Sequence, residues 1–451
     1  MTHWDIAVIG AGIGGLCTAA LLARAGKKVL ILEKDGAIGG AAKSTIYKGH
    51  VLDDGGHIPS QAGHLEAIFE DLGLPYPEKI PTRQSEIFKD GRWINTRELF
   101  TTKMLKKALN SMLRLSPEEI AALDDIPLNE WVRQLTDDPG IAYLFYYFGC
   151  ATSVGNRYEA YSAGEMIYIL REILDAGLSL GSLGGAIKGG MNRLMEPLAD
   201  YVIAHGGQLR LNTPVDSVQI QNGRAAGINV EHGERIFAHQ QLDLELIEAD
   251  CVVATAPLWN IFSLCDETLF PAWWVDGVKW ISKKVSYVYS IIYGLETPLF
   301  DENIFRFAPD RPSSGFSAVY YPMNTYGADA NQHQFHVSYQ GHFDEMPDLL
   351  NSHSAKVRNQ VRSFLHLMEK ETFERFPALK KNYLWRIAHA NVYNIAQSPG
   401  LVGDKRPSMK PPGIKNLFLV SGATKQARGI GLQAVANCAR KAAAAIVAVH
   451  P

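Results

Sequence analysis

Positive charge is the first thing this chain does without. Its 44 basic residues are outnumbered by 47 acidic ones, for a net charge of -3. A nucleic-acid partner needs a concentrated basic field, so no nucleic acid is expected. Cysteine is scarce: Cys17, Cys150, Cys251, Cys265 and Cys438 form no CxxC pair and no metal-like spacing. The expectation is buried, reduced thiols, a cytoplasmic location and no metal centre. Long apolar runs are missing too. None reaches the ~20 residues that cross a bilayer, and the C-terminal AAAAIVAVHP falls short. Only Met1 to Trp4 precede the first apolar run, which leaves no room for a leader peptide. There is no repeat and no HExxH. His333 and His336 stand three apart in a strand-like run, where alternation sends them to opposite faces.

What the chain has is glycine, and early: DIAVIGAGIGGLCTAALLARAGKKVLILEK. DIAVIG reads as a buried parallel strand, Gly14 to Ala25 as a helix stopped by Gly26, and KVLILE as a second strand. This is a βαβ unit with GxGxxG at its turn. Gly10 makes the tight turn, Gly12 lets a pyrophosphate approach, and Gly15 lets helix and strand close together. Ile9, Ile13 and Gly14 complete the cradle, where the helix N-terminus offers free N–H groups to phosphate. Glu33, followed by Lys34, ends the second strand, where a carboxylate accepts from ribose hydroxyls and repels a 2′-phosphate. Two more bare stretches follow: Gly39-Gly40 with Ala41 and Ala42, then Gly55-Gly56 with His57. A longer ligand running past the backbone favours FAD over a nicotinamide.

In these motifs the chain resembles the flavin amine oxidase superfamily, and within it the phytoene desaturase, carotenoid isomerase and retinol saturase branch. GHVLDDGG, the segment from Gly185 to Ile228, ADCVVATAP and NLFLVSGATKQARGIGLQAVANCARKAA carry the likeness in the same order. The resemblance implies an α/β architecture: a Rossmann-like FAD-binding domain of the GR2 type from 1–64, 185–264 and 396–451. Into it a substrate domain, α+β on an antiparallel sheet, is inserted from 65–184 and 265–395. It implies that a strand ends near Val215, whose backbone meets the adenine. Further FAD contacts are implied for Ala254, Thr255, Ala256 and Pro257, and for Gly422, Ala423, Gly429, Ile430, Gly431 and Leu432. His57 is implied to lie beside the isoalloxazine; it is the catalytic candidate, with a capping or packing role as the alternative. The chain departs from the family's pattern at Ala41 and Ala42, where an Arg is common. It departs again at Ala423, where many members, though fewer desaturases, carry an acid, and in KQARGIGLQ, which lacks the desaturases' proline.

The inserted segments say less. KKVSYVYSIIYGL, GFSAVYYPMN and HQFHVSYQG alternate with period two and read as strands of one antiparallel sheet. Val285, Tyr287, Tyr289, Ile291 and Tyr293 share one face, as do Phe335, Val337 and Tyr339 on another strand. Either they wall a long apolar substrate beside the flavin, or they pack on helices. SAKVRNQVRSFLHLMEKETFERF reads as a helix. Cys150 reads as a core thiol in an aromatic loop. KMLKKALNSMLRL is a basic amphipathic helix, either docked in a membrane surface or packed on the core with its lysines in water. The function expected from the resemblance is an FAD-dependent oxidoreductase acting on C–C or C=C bonds of an apolar, isoprenoid or polyene-like small molecule, with a peripheral membrane contact. The alternatives are a flavin amine oxidase and a non-redox prenyl carrier, since GDP-dissociation-inhibitor proteins share this scaffold.

Overall fold

The computed structural model describes residues 3–54, 63–81, 84–152, 158–177, 185–232, 243–300, 302–309, 317–323, 333–341, 344, 349–351 and 353–450. Strand β1 (Trp4–Ile9), helix α1 (Ile13–Arg24) and strand β2 (Val29–Leu32) form the expected crossover. β1 and β2 run parallel, with Ile6 opposite Val29 and Ile9 opposite Leu32. Both are buried almost throughout, so they read as unbroken apolar runs.

The first sheet runs in the order Val215–Gln221, Arg224–His232, Asp243–Ala254, β1, β2, Gln208–Arg210, and Leu417–Leu419 also joins Asp243–Ala254. Asp243–Ala254 changes partner along its length. Its first half pairs antiparallel with Arg224–His232 and is largely exposed; its second half pairs parallel with β1 and is largely buried. The last helix, Gly431–Val449, packs beside α1 through Ala436, Ala439, Ala443 and Ile446. By length and hydropathy it could span a bilayer, which the short C-terminal run did not suggest, but half of it is buried within the fold.

The second sheet runs Tyr383–Ile395, Val285–Leu295, His333–Gly341, Ser317–Met323, Ile304–Ala308, Gln84–Lys89, Arg92–Asn95. The three segments read as one antiparallel sheet are neighbours in it. Helix Ala355–Arg375 covers one face, as its pattern predicts. That helix also settles what the tyrosine face does. Tyr289 lies 4.8 Å from the Phe364 ring, Tyr293 5.8 Å from Phe373, and Tyr339 donates to Glu371 Oε2 at 2.6 Å. The tyrosines are core, not a substrate wall. Period two separates two faces without saying which one a distant helix will cover.

Three smaller expectations change. Cys150 lies in the helix Pro139–Thr152 rather than in a loop, and the five cysteines form no disulfide. Val215 opens the strand Val215–Gln221 instead of closing one; the preceding strand already stops at Arg210. In the amphipathic helix, here Thr102–Leu113, Ala108 and Met112 are buried, and Met104, Leu105 and Leu109 pack on the same helical core. The fold itself covers most of that apolar face, leaving Leu113 exposed.

Candidate functional site

The C-terminal end of β1 gathers most of the residues singled out in the sequence. Gly10 has φ 104°, and a Cβ there would stand 2.6 Å from Thr255 Oγ1. At Gly15 it would stand 2.0 Å from the Gly10 carbonyl oxygen, so helix and strand close only over glycine. Gly12 is different. Its φ is −77°, and an added Cβ would meet nothing nearer than Gly40 Cα at 3.8 Å. Neither its dihedral nor the protein's packing demands glycine there, and the space beside it is open to an approaching ligand. Gly12 also gives α1 no side-chain cap, so first-turn N–H groups are left for phosphate. This is the fit that a dinucleotide requires.

The second glycine pair is part of the same cradle. Gly39 and Gly40 have φ of 109° and 57°. Gly39 N–H donates to Ala11 O at 2.8 Å, and Gly12 and Gly39 form a parallel bridge. Ala42 is buried, while Ala41 and Lys34 are exposed. Glu33 is 5% exposed and takes Ala11 N–H on Oε2 at 2.7 Å and Asp35 N–H on Oε1 at 3.0 Å. Each oxygen keeps lone-pair capacity for a ribose hydroxyl. Ile13 and Gly14 open α1 and are buried. Ala254 pairs with Ile9, and Thr255 donates to the Ile9 carbonyl from Oγ1 at 2.8 Å; Ala256 and Pro257 follow directly.

The C-terminal return closes over this turn. A Cβ on Gly14 would lie 3.0 Å from Val435 Cγ1 and 3.2 Å from Val420 Cγ1. Ala423 is buried; Gly422, Gly429, Ile430, Gly431 and Leu432 are half-buried. Side chains that sequence reading missed hold the return in place. Gly422 O accepts from Asn394 Nδ2 at 3.1 Å and from an Arg406 nitrogen at 3.2 Å. Gly429 O accepts from Gln397 Nε2 at 3.2 Å, and its N–H donates to Glu165 Oε1 at 3.1 Å. Arg428 donates from Nε to Glu165 Oε2 at 3.0 Å and also pairs with Asp124. Burial pushes the Asp124 carboxyl up to about 6, with Arg428 pulling it down and Glu165 adding to the rise. Where Val285–Leu295 meets Tyr383–Ile395, a bulge opposite Ser286 and Tyr287 leaves Tyr393 out of register. Its hydroxyl takes a hydrogen bond from the Gly431 backbone; burial raises it to about 12 and that bond opposes the rise.

A hairpin, Ser44–Tyr47 with His50–Asp53, joins this cradle to the second sheet. Asp53 is buried and accepts from Ser44 Oγ at 2.6 Å and from Met191 N–H at 3.1 Å. Burial drives its carboxyl up to about 7 against those two bonds. The sheet face opposite the tyrosines is polar near the hairpin. Ser290 pairs with Ser338 (Oγ to Oγ, 3.1 Å), and His336 reaches Gln334 Oε1 at 2.8 Å. Beyond Tyr321 the same face turns apolar, with Phe305, Phe307, Val319 and Met323 packed on the helices between 102 and 175. Gly55, Gly56 and His57 lie outside the described residues. By register, His333 and His336 fall on opposite faces.

Comparison with known proteins agrees with this geometry. The chain is 24% identical over 269 residues to a 4,4'-diapophytoene desaturase (4,4'-diapolycopene-forming) of Methylomonas sp, covering 51% of each chain. It is 26% identical over 303 residues to an inactive all-trans-retinol 13,14-reductase of Danio rerio, covering 57% of this chain and 48% of that one. The matched region thus spans about half the length of these curated relatives. An oxidoreductase from Methanosarcina mazei has the same fold, with TM-score 0.72 at 19% identity over 98% of this chain and 99% of that one. Residues 13–447 match the family model for flavin containing amine oxidoreductases, so the chain belongs to that family and its cofactor is FAD.

Proposed function

We propose that the chain is an FAD-dependent oxidoreductase acting on C–C or C=C bonds of a long apolar substrate, isoprenoid or polyene in kind. The observation that carries this reading is the lining of a narrow groove beside the second sheet: Ile80, Ala186, Ile304, Phe305, Pro322 and Met323, with Asn303 and Tyr321 as its polar members. No charged side chain lines it among the described residues, so an ammonium substrate finds no counter-ion there. A hydrocarbon body would gain about 25 cal/mol for each Å² it buries. Bound FAD supplies hydride exchange with carbon. The chain's part is to hold and orient: the Gly12 turn at the pyrophosphate, Glu33 at the ribose, and the apolar groove at the substrate. The names of the curated relatives, a diapophytoene desaturase and an inactive retinol reductase, support the same substrate class. Desaturation, saturation and isomerisation share this arrangement.

Mass spectrometry of an organic extract of the purified protein tests the reading. An isoprenoid or polyene should be present, and should be lost from Met323→Glu while FAD content stays. An extract that carries an amine and no apolar chain would overturn it.

A further inference from the structure

We propose that His389 is the group that takes the substrate's proton during oxidation and returns it in the opposite direction. This rests on the C–C reading above. The placement comes from a ladder of contacts between the hairpin and the strand Tyr383–Ile395. Tyr47 and His50 set their rings edge-on against Trp385, at 5.3 and 4.9 Å. One step along, Leu52 packs with Ile292, Trp385 and Ile387. Asp54 ends the described part of this segment, and its carboxylate reaches His389 through the electrostatic field rather than by contact. Trp385, Ile387, His389 and Asn391 alternate onto this one face, opposite Gly294, Ile292, Ser290 and Val288. Beyond them Asn394 donates to the Gly422 carbonyl. His389 therefore stands between the end of the hairpin, where the chain enters Gly55-Gly56, and the turn that closes the dinucleotide cradle.

The chemistry of the ring suits the place. His389 Nδ1 is 3.1 Å from the Asn391 amide, and the ring makes no other hydrogen bond among the described residues. A carboxamide can turn either its oxygen or its nitrogen to Nδ1, so it supports both tautomers. Nε2 can then present a lone pair or an N–H. Burial holds the imidazole below its ordinary value and Asp54 opposes that, a balance that favours the neutral, proton-accepting form. The other groups nearest in the sheet are neutral: Asn391 on its own strand and Ser290 opposite. The residue is half-buried.

The step balances. A hydride leaves one carbon with its electron pair for FAD, reducing it by two electrons. The neighbouring carbon gives its proton to Nε2. The pair left in that C–H bond becomes the new π bond, and the substrate is oxidised by two electrons. A carbon next to a cation-like centre is acidic enough for an imidazole, so no stronger base is required.

Three measurements test this on the FAD-loaded protein: His389→Gln flavin reduction under anaerobic conditions across pH, substrate perturbation of the oxidised flavin spectrum, and the His389 ring titration by NMR. His389→Gln should keep its FAD and the spectral shift on binding. Flavin reduction should slow by about 10²-fold or more, and the acid limb of the pH profile should disappear. A variant that reduces at the wild-type rate with the wild-type profile overturns the assignment. The NMR titration needs no substrate. His389 should titrate below 6.5, and lower still in Asp54→Asn; an ordinary value indifferent to Asp54 would also overturn it. A wild-type flavin that no polyene or isoprenoid reduces would instead contradict the C–C reading, leaving the NMR result to decide the place of His389.

Discussion

Gly12 and Gly40 face each other backbone to backbone: a methyl group on Gly40 would stand 3.2 Å from the Gly12 Cα. Two glycine motifs separated by a whole crossover thus build one wall, and the wall is bare of side chains, which fits a dinucleotide.

The glycines of the first motif should separate on substitution. Gly12→Ala has dihedral and space enough in the protein, so its melting temperature should stay within a few degrees of wild type, roughly the effect of 1 kcal/mol or less. Its FAD affinity should fall at least ~10-fold, about 1.4 kcal/mol. Gly15→Ala drives a methyl into the Gly10 carbonyl and should destabilise the fold by about 1–3 kcal/mol or more. Thermal unfolding with flavin-fluorescence titration reads both. An unstable Gly12→Ala or an unperturbed Gly15→Ala would reverse the assignment.

Glu33 holds two backbone N–H groups while nearly buried. In Glu33→Gln one oxygen becomes a donor facing a donor, and the charge is lost. Charge-assisted bonds of this kind contribute about 1.5–3 kcal/mol each. FAD should bind about 10- to 100-fold more weakly, and the apoprotein should also melt earlier. Equal affinity in the two proteins would remove Glu33 from the cofactor site.

Asp53 should leave a mark on the pH dependence of stability. Its folded carboxyl sits at about 7 against an ordinary 3.8, so the folded state keeps a proton that the unfolded chain has already released. Stability is then fullest below pH 4 and declines as pH rises to about 7. Asp53→Asn keeps an acceptor for Ser44 and Met191 and carries no charge. Its stability should change less over that window and should match or exceed wild type at pH 8. Parallel urea-unfolding curves for both proteins from pH 4 to 8 would contradict this.

What could be read in the sequence is what covalent geometry and local period dictate. Gly10, Gly12 and Gly15 announce a phosphate turn because few other residues can make one, and Glu33 follows at the distance one helix and one strand impose. Val285–Leu295 and His333–Gly341 announce strands through period two. The same period could not say that Tyr289 meets Phe364 on a later helix, so the aromatic face was legible and its partner was not. Arg428 and Glu165 meet from 263 positions apart, and Trp385 meets His50 across most of the chain. Such pairs leave no local pattern. A buried arginine like Arg406 looks like any surface arginine until three carbonyls are found around it.

The most direct test of the account is the absorbance of the FAD-loaded protein under anaerobic conditions as candidate substrates are added. A polyene or isoprenoid should bleach the oxidised flavin band in the desaturating direction, or reoxidise the dithionite-reduced band in the saturating one, while benzylamine and polyamines leave both unchanged. Rapid bleaching by an amine with no response to any apolar chain, or a protein that will not hold FAD at all, would contradict it.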